Sequence, residues 1–272
     1  MDSTTDPVKV AARSAWAQGD YHAFARATIW EMGPVLVQAC GIGPGQRVLD
    51  VAAGTGNTAI RAAETGASVV ASDLTPENFD AGRREARAHG VDLEWVEADA
   101  ENLPYADGEF DVVTSSFGVM FAPHHQAAAD ELVRVCHEGG TIGLLTFTPE
   151  GIMTGFFEAL APHLPPLPPD ASPPLLWGSE EHVRRLFGDR VDLRFTRGDY
   201  GEYAASPAAY VDLLRRTFGP IVAAYTDGAD DRGRTADLDR DLLDFATRHS
   251  RPAADGQVVL RYEYLLTVGH RR

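Results

Sequence analysis

The segment Val48-Leu49-Asp50-Val51-Ala52-Ala53-Gly54-Thr55-Gly56-Asn57 constrains the fold of this chain more than any other. It reads as a short apolar strand, Arg47–Val51, that enters a turn of small residues and then a helix over Thr58–Thr65. Glycines at 54 and 56 let the backbone approach a ligand without a Cβ clash. The helix start beyond them offers unpaired N–H groups to an anionic group. A strand feeding such a turn and helix opens an α/β domain.

The rest of the chain repeats the pattern. Strands are predicted at Ser68–Ser72, Leu93–Glu97, Phe110–Ser115 and Thr141–Phe147. Helices are predicted over Pro76–His89, with Pro76 at a favourable first position, and over Ala127–Val135, with Gly139-Gly140 as the turn that follows. This alternation with short loops predicts a parallel sheet covered on both faces. Asp6–Cys40 reads as two or three short helices broken at Gly19-Asp20 and Gly33-Pro34. After Phe147 the pattern changes. Pro149–Pro174 is proline-rich and predicts a short helix over Thr154–Leu160 and then an irregular loop. Further helices are expected at Glu180–Phe187, capped by Ser179, at Pro207–Phe218 and at Leu238–His249, with Asp227–Gly233 as a polar linker. Val191–Thr196 and Val258–Val268 read as strands.

Composition narrows the partners. The net charge of −16 and pI near 4.9 would repel nucleic acid and anionic membrane. Cys40 and Cys136 lie in apolar stretches, a helix end and a helix, and read as buried free thiols. No Cys/His cluster suggests a metal. The start of the chain lacks a basic region followed by an apolar run, and the expected location is cytoplasmic.

Gly54-x-Gly56-x-x-Ala59 satisfies a dinucleotide fingerprint, so the glycines alone do not choose a ligand. The acids do. Asp50 sits inside its strand, where a buried carboxylate is expensive unless paired and where a dehydrogenase is normally apolar. Asp73 closes the second strand and can accept both ribose hydroxyls. Asp99-Ala100 follows the third strand, where a carboxylate can accept from an adenine amino group; this second acid favours S-adenosylmethionine.

The segments VLDVAAGTGN, EADAENLPYADGEFDVVTSSFGVMF and ELVRVCHEGGTIGLLTF resemble the class I S-adenosylmethionine-dependent methyltransferases, in particular the ubiquinone/menaquinone C-methyltransferase family and its small-molecule relatives. The resemblance covers about Gln46–Thr148. It implies a Rossmann-like, mostly parallel seven-stranded α/β sheet with an antiparallel last strand pairing Val191–Thr196 as a hairpin, plus N-terminal helices and a helical insertion. It implies a helical cap over 1–45, a cofactor-binding core over 46–148, and over 149–272 a substrate-side insertion with C-terminal strands completing the same domain. It places Asp50 at the amino-acid end of S-adenosylmethionine and Gly54, Thr55, Gly56 and Asn57 around the methionine part. Asp73 and Leu74 fall at the ribose, Asp99 and Ala100 at the adenine, and Ser116 beside the cofactor. The family's usual Gly-Gly-Thr-Gly-Asp is here Ala53-Gly54-Thr55-Gly56-Asn57, with an amide in place of the acid.

Candidate catalytic residues are His125 and His124, after the fourth strand, with Glu31 as a further candidate base. The bland alternative for both histidines is an exposed pair at a helix start. Tyr21 follows a break and is a candidate lid over the cofactor, while Phe156, Tyr200 and Tyr203 are candidates to line an acceptor pocket. The expectation is methyl transfer to O, N or C of a small-molecule acceptor in secondary metabolism, with a homodimer compatible. The rivals are an NAD(P)-dependent oxidoreductase and a fold relative that binds the cofactor without transferring methyl.

Overall fold

The computed structural model describes residues 7–272, so the first residue of the helical stretch expected from Asp6 lies outside the described residues. The parallel strands are β1 (Arg47–Val51), β2 (Ser68–Asp73), β3 (Glu94–Glu97), β4 (Phe110–Ser116) and β5 (Cys136–Phe147). Between them run α4 (Asn57–Glu64), α5 (Phe79–Ala88) and α6 (His125–Val135). The remaining strands are β6 (Val191–Ala204), the short β7 (Arg251–Pro252) and β8 (Val258–Arg271). The sheet order is β3-β2-β1-β4-β5-β8-β6, with β7 paired to β8 off this path. β1 pairs in parallel with β2 and β4, and β5 pairs antiparallel with β8, Thr141 opposite His270 and Phe147 opposite Tyr264. This is the mostly parallel sheet with an antiparallel last strand that the resemblance implies. The chain steps outward from β1 to β3 and then returns to β4 on the other side of β1. That reversal opens a crevice at the carboxyl ends of β1 and β4, where α/β sheets bind ligands.

Outside the parallel core lie α1 (Pro7–Trp16), α2 (Tyr21–Ala27), α3 (Met32–Ala39), α7 (Met153–Leu160), α8 (Glu180–Phe187), α9 (Pro207–Thr217), α10 (Gly219–Asp227) and α11 (Arg232–His249). The chain forms two compact units. The sheet unit comprises Trp30–Thr148, Pro169–Gly198 and Tyr264–Arg272. Its core is Leu36, Val48, Leu49, Ile60, Leu132, Ile142, Leu144 and Leu145, each buried. Each such side chain stabilises the fold by about 1.5–3 kcal/mol relative to exposure. Arg134 of α6 pins the loop before β4, donating to the carbonyls of Leu103 and Tyr105 and to the carboxylates of Glu131 and Asp107.

The helical unit comprises residues 7–29, Pro149–Pro168 and Asp199–Glu263. Its centre is aromatic: Phe24 and Phe156 both pack on Phe218, and Phe156 packs on Phe245. Side chains cap its helices, Asp20 accepting from the Ala23 N–H, Ser206 from Ala209 and Asp231 from Gly233 and Arg234. A polar cluster is buried beside the aromatics. Glu202 accepts from the phenols of Tyr200 (2.9 Å) and Tyr210 (2.8 Å), and Tyr210 shares a 2.7 Å hydrogen bond with Tyr262. Burial pushes the Glu202 carboxyl up to about 7, against the pull of the two phenols.

Several boundaries differ from the sequence expectation. Gly139-Gly140 is not a turn before β5 but lies inside it. The ladder slips between Phe110↔Cys136 and Val112↔Thr141, and Gly139, at φ +78°, takes up the irregularity. Cys136 therefore starts a strand and is not helical; both thiols are free and buried, as expected. β6 continues to Ala204, well past Thr196. The linker at 227–233 shrinks because Asp231 caps α11, which starts at Arg232 and so nearly two turns earlier than expected. β8 lies beside β6, but three helices separate them in sequence, so the pair is not a hairpin.

Candidate functional site

The expected binding residues of the sheet unit gather at the carboxyl ends of β1, β2 and β4. Asp50, near the end of β1, is 2% exposed. Its Oδ1 accepts from the Thr114 hydroxyl of β4 at 2.8 Å and its Oδ2 from the Ala59 N–H of α4 at 3.1 Å. Burial raises this carboxyl to about 7, although both hydrogen bonds favour the charged form. Asp50 thus ties β1, β4 and α4 together directly beneath the glycine turn.

Above it the backbone is forced into unusual shapes. Ala52 and Phe117, the residues that follow β1 and β4, both have left-handed φ, +53° and +56°. Each such non-glycine conformation costs about 1–3 kcal/mol and persists where the surroundings dictate it. The Phe117 N–H donates to the Leu145 carbonyl at 2.8 Å, and a Cβ on Gly118 would lie 2.5 Å from the Ala52 carbonyl oxygen. The two strained residues are therefore locked together. Gly56 has φ +84°, and a Cβ there would sit 2.6 Å from the Trp95 ring of β3. Only glycine fits this turn.

Asp73 at the end of β2 accepts from the Gly54 N–H at 2.7 Å and from the Thr75 N–H at 2.8 Å. Burial raises its carboxyl, against the pull of these donors. Leu74 beside it is half-buried. Asp99 is buried and accepts from the Glu101 N–H at 3.0 Å, shaping the turn that carries Ala100. Asn57 is buried as the first residue of α4. The hydroxyls of Thr55 and Ser116 are buried at this edge and find no hydrogen-bond partner among the described residues. Buried polar atoms of that kind are ordinarily satisfied.

The two histidines have different settings. His124 takes a 2.7 Å backbone and a 2.9 Å ring hydrogen bond to the Glu101 carboxylate, and its other ring nitrogen lies 3.4 Å from Asp170. The bond to Glu101 raises its pKa. His125 is buried, its Nδ1 lying 3.0 Å from His182 Nε2 and its ring against Trp177. Burial and the neighbouring His182 lower it to about 4. Consecutive residues thus lie on opposite sides of the helix start. Glu101 and Trp95 escape sequence reasoning as site residues. Glu101 offered a signal, an acid two residues past Asp99, whereas Trp95 read only as a strand residue.

Tyr21, Phe156, Tyr200 and Tyr203 belong to the helical unit. Tyr21 packs between Trp16 and Phe24, Phe156 is core, Tyr200 binds Glu202, and Tyr203 is exposed. Glu31 is exposed before α3. Among the described residues no helix is long and apolar enough to cross a membrane.

The pattern of a methyltransferase domain matches residues 48–140. The chain is 44% identical over 263 residues to the uncharacterized protein Rv1405c of Mycobacterium tuberculosis, covering 96% of this chain and 94% of that one. It is 42% identical over 106 residues to the demethylmenaquinone methyltransferase of Thermus thermophilus, covering 38% of this chain and 48% of that enzyme. Among solved structures, a putative methyltransferase from Bacillus halodurans shares the fold at a TM-score of 0.60 and 19% identity, covering 88% of this chain and 98% of that one. With the glycine turn, the strand-end acids and the reversed last strand already in place, these likenesses complete the case: the chain belongs to the class I S-adenosylmethionine-dependent methyltransferases.

Proposed function

We propose that the protein transfers the methyl group of S-adenosylmethionine to O, N or C of a small, secondary-metabolite-like acceptor, holding the cofactor along the carboxyl edge of β1, β2 and β4. The observation that carries this reading is the Asp73–Gly54 hydrogen bond, together with the hydroxyls of Thr55 and Ser116, which are buried without a partner among the described residues. Asp73 keeps lone pairs for the ribose hydroxyls while fixing the glycine turn. Asp99 and Ala100 would border the adenine, and Leu74 the ribose face. Thr55, Gly54, Gly56 and Asn57 would surround the methionine part, with Ser116 beside it. Asp50 acts from beneath, through Thr114 and Ala59.

When bound, S-adenosylmethionine supplies a methyl group already activated by a sulfonium. The protein's task is to align the acceptor with that bond, and such alignment can supply roughly 7–11 kcal/mol of the barrier. His125, neutral down to about pH 4, is too weak a base to take a proton from a phenol. His124, with its pKa raised by Glu101, is the better placed of the two to exchange a proton near neutrality.

Titration calorimetry with S-adenosylhomocysteine and with NAD tests the cofactor. The reading requires saturable binding of the first and none of the second. Incubation of methyl-labelled S-adenosylmethionine with panels of acceptors then tests transfer; binding without transfer to any acceptor would favour a cofactor-retaining relative.

A further inference from the structure

Leu164-Pro165-Pro166-Leu167-Pro168-Pro169 repeats one triplet twice, and the cofactor edge makes no use of it. The run leaves a fixed anchor. His163 is buried, its Nε2 lies 2.8 Å from the Asp241 carboxylate of α11, and the Arg234 guanidinium donates to its carbonyl at 3.1 Å. Beyond that anchor the chain is open. Pro165–Pro168 belongs to no helix or strand, and Pro165, Pro166, Leu167 and Pro169 are exposed. Leu167, at 58%, is the most exposed large apolar side chain among the described residues.

The residues dictate the shape of this run. Proline locks its own φ near −65° and pushes the residue before it into extended backbone. Leu164, Pro165, Leu167 and Pro168 each precede a proline, and Leu164 stands at φ −106° and ψ 155°. The outcome is a polyproline II helix, with three residues per turn and a rise of about 3.1 Å per residue. The triplet matches that turn. Leu164 and Leu167 therefore form one ridge, Pro165 and Pro168 a second, and Pro166 and Pro169 a third.

The same residues select the kind of partner. Four of the six carry no backbone N–H, so the run cannot be added to a sheet as a strand. No charge lies between His163 and Asp170, so the run has nothing to offer a phosphate or a salt-bridging surface. A mere spacer would gain solubility from a polar residue at 167, where an exposed leucine stands instead. Uncharged ridges of proline rings and leucine fit a groove lined with aromatic side chains, and a preformed helix loses little entropy on docking there. A second copy of this chain supplies no such groove, because Tyr203 is the only exposed aromatic among the described residues.

We propose that Leu164–Pro169 is a docking ridge for a partner protein that reads polyproline II through an aromatic-lined groove of the WW type. The ridge tethers the protein to that partner, and the proposal does not depend on which acceptor is methylated.

The test titrates a fluorescein-labelled WW domain that reads Pro-Pro-Leu-Pro with the full chain and follows anisotropy. The expected result is saturable binding that excess free peptide Leu-Pro-Pro-Leu-Pro-Pro reverses. Leu167→Asp, and the double variant Pro165→Ala with Pro168→Ala, should each weaken it at least about tenfold. Leu243→Asp, at another exposed leucine, should leave it unchanged. A melting temperature near that of the wild type reports that each variant is folded. Absence of binding, or equal binding by the wild type and both ridge variants, would overturn the proposal. So would sedimentation that shows wild-type dimers dissolved by Leu167→Asp, since the ridge would then belong to a second copy.

Discussion

The carboxylate of Asp73 accepts the N–H of Gly54 at 2.7 Å, so the end of β2 holds the turn that follows β1. A single side chain thereby shapes the loop and, in the proposed binding mode, faces the ribose. Asp73→Ala should weaken S-adenosylhomocysteine about 10–100-fold, the worth of one hydrogen bond to a charged group. Asp73→Asn, with one acceptor oxygen, should fall between. Calorimetry measures both, and an unchanged Kd for the alanine variant would remove Asp73 from the site.

Gly56 is excluded from substitution twice over, by φ +84° and by the Trp95 ring. Gly56→Ala should lower stability by about 1–3 kcal/mol and loosen cofactor binding. Adding Trp95→Leu should restore only the steric part, because the left-handed backbone remains. Thermal melts of the two variants decide it; full recovery in the double variant would show that conformation contributes nothing.

Glu202 links stability to pH. Its folded pKa, about 7, lies above its usual 4.5, so the native state binds this proton more tightly than the unfolded chain. Its contribution is fully present below about pH 4.5 and is lost as pH rises through 7, a change of at most about 3 kcal/mol. Asp50, also raised to about 7, has the same sign, and His125, lowered to about 4, the opposite. Glu202→Gln should therefore flatten, without abolishing, the fall in denaturant midpoint between pH 5 and 8. A slope identical to wild type would place the titration elsewhere.

His124 and His125 should separate in an NMR titration of ring resonances. His125 should stay neutral to about pH 4, while His124 should gain its proton above the usual histidine value, because Glu101 raises it. Glu101→Gln should bring the His124 titration down most, with a smaller fall for His125, which also feels the Glu101 charge. Coincident titration of the two rings would contradict the burial difference.

Much of the sheet unit is legible in the sequence because its signals are local. Arg47–Val51 is apolar over its buried length apart from Asp50, the glycines stand where φ is positive, and Asp50 and Asp73 lie near the ends of adjacent strands. The burial of His125 is not legible, since it depends on His182 and Trp177, more than fifty positions away. The Glu202 cluster joins β6, α9 and β8, and no spacing within a window reveals it. The bulge in β5 was hidden for the opposite reason: Gly139-Gly140 is a strong local turn signal, and pairing with β4 overrode it.

β8 is inserted between β5 and β6, although both precede it in the chain. During synthesis, then, two sheet edges stand open on the nascent polypeptide until the last strand emerges from the ribosome. Those exposed ladders are templates for wrong partners. Expression at low temperature or with a chaperone that shields unpaired strands should raise the yield of correctly assembled protein, and fusions that delay release of Val258–Arg271 should lower it.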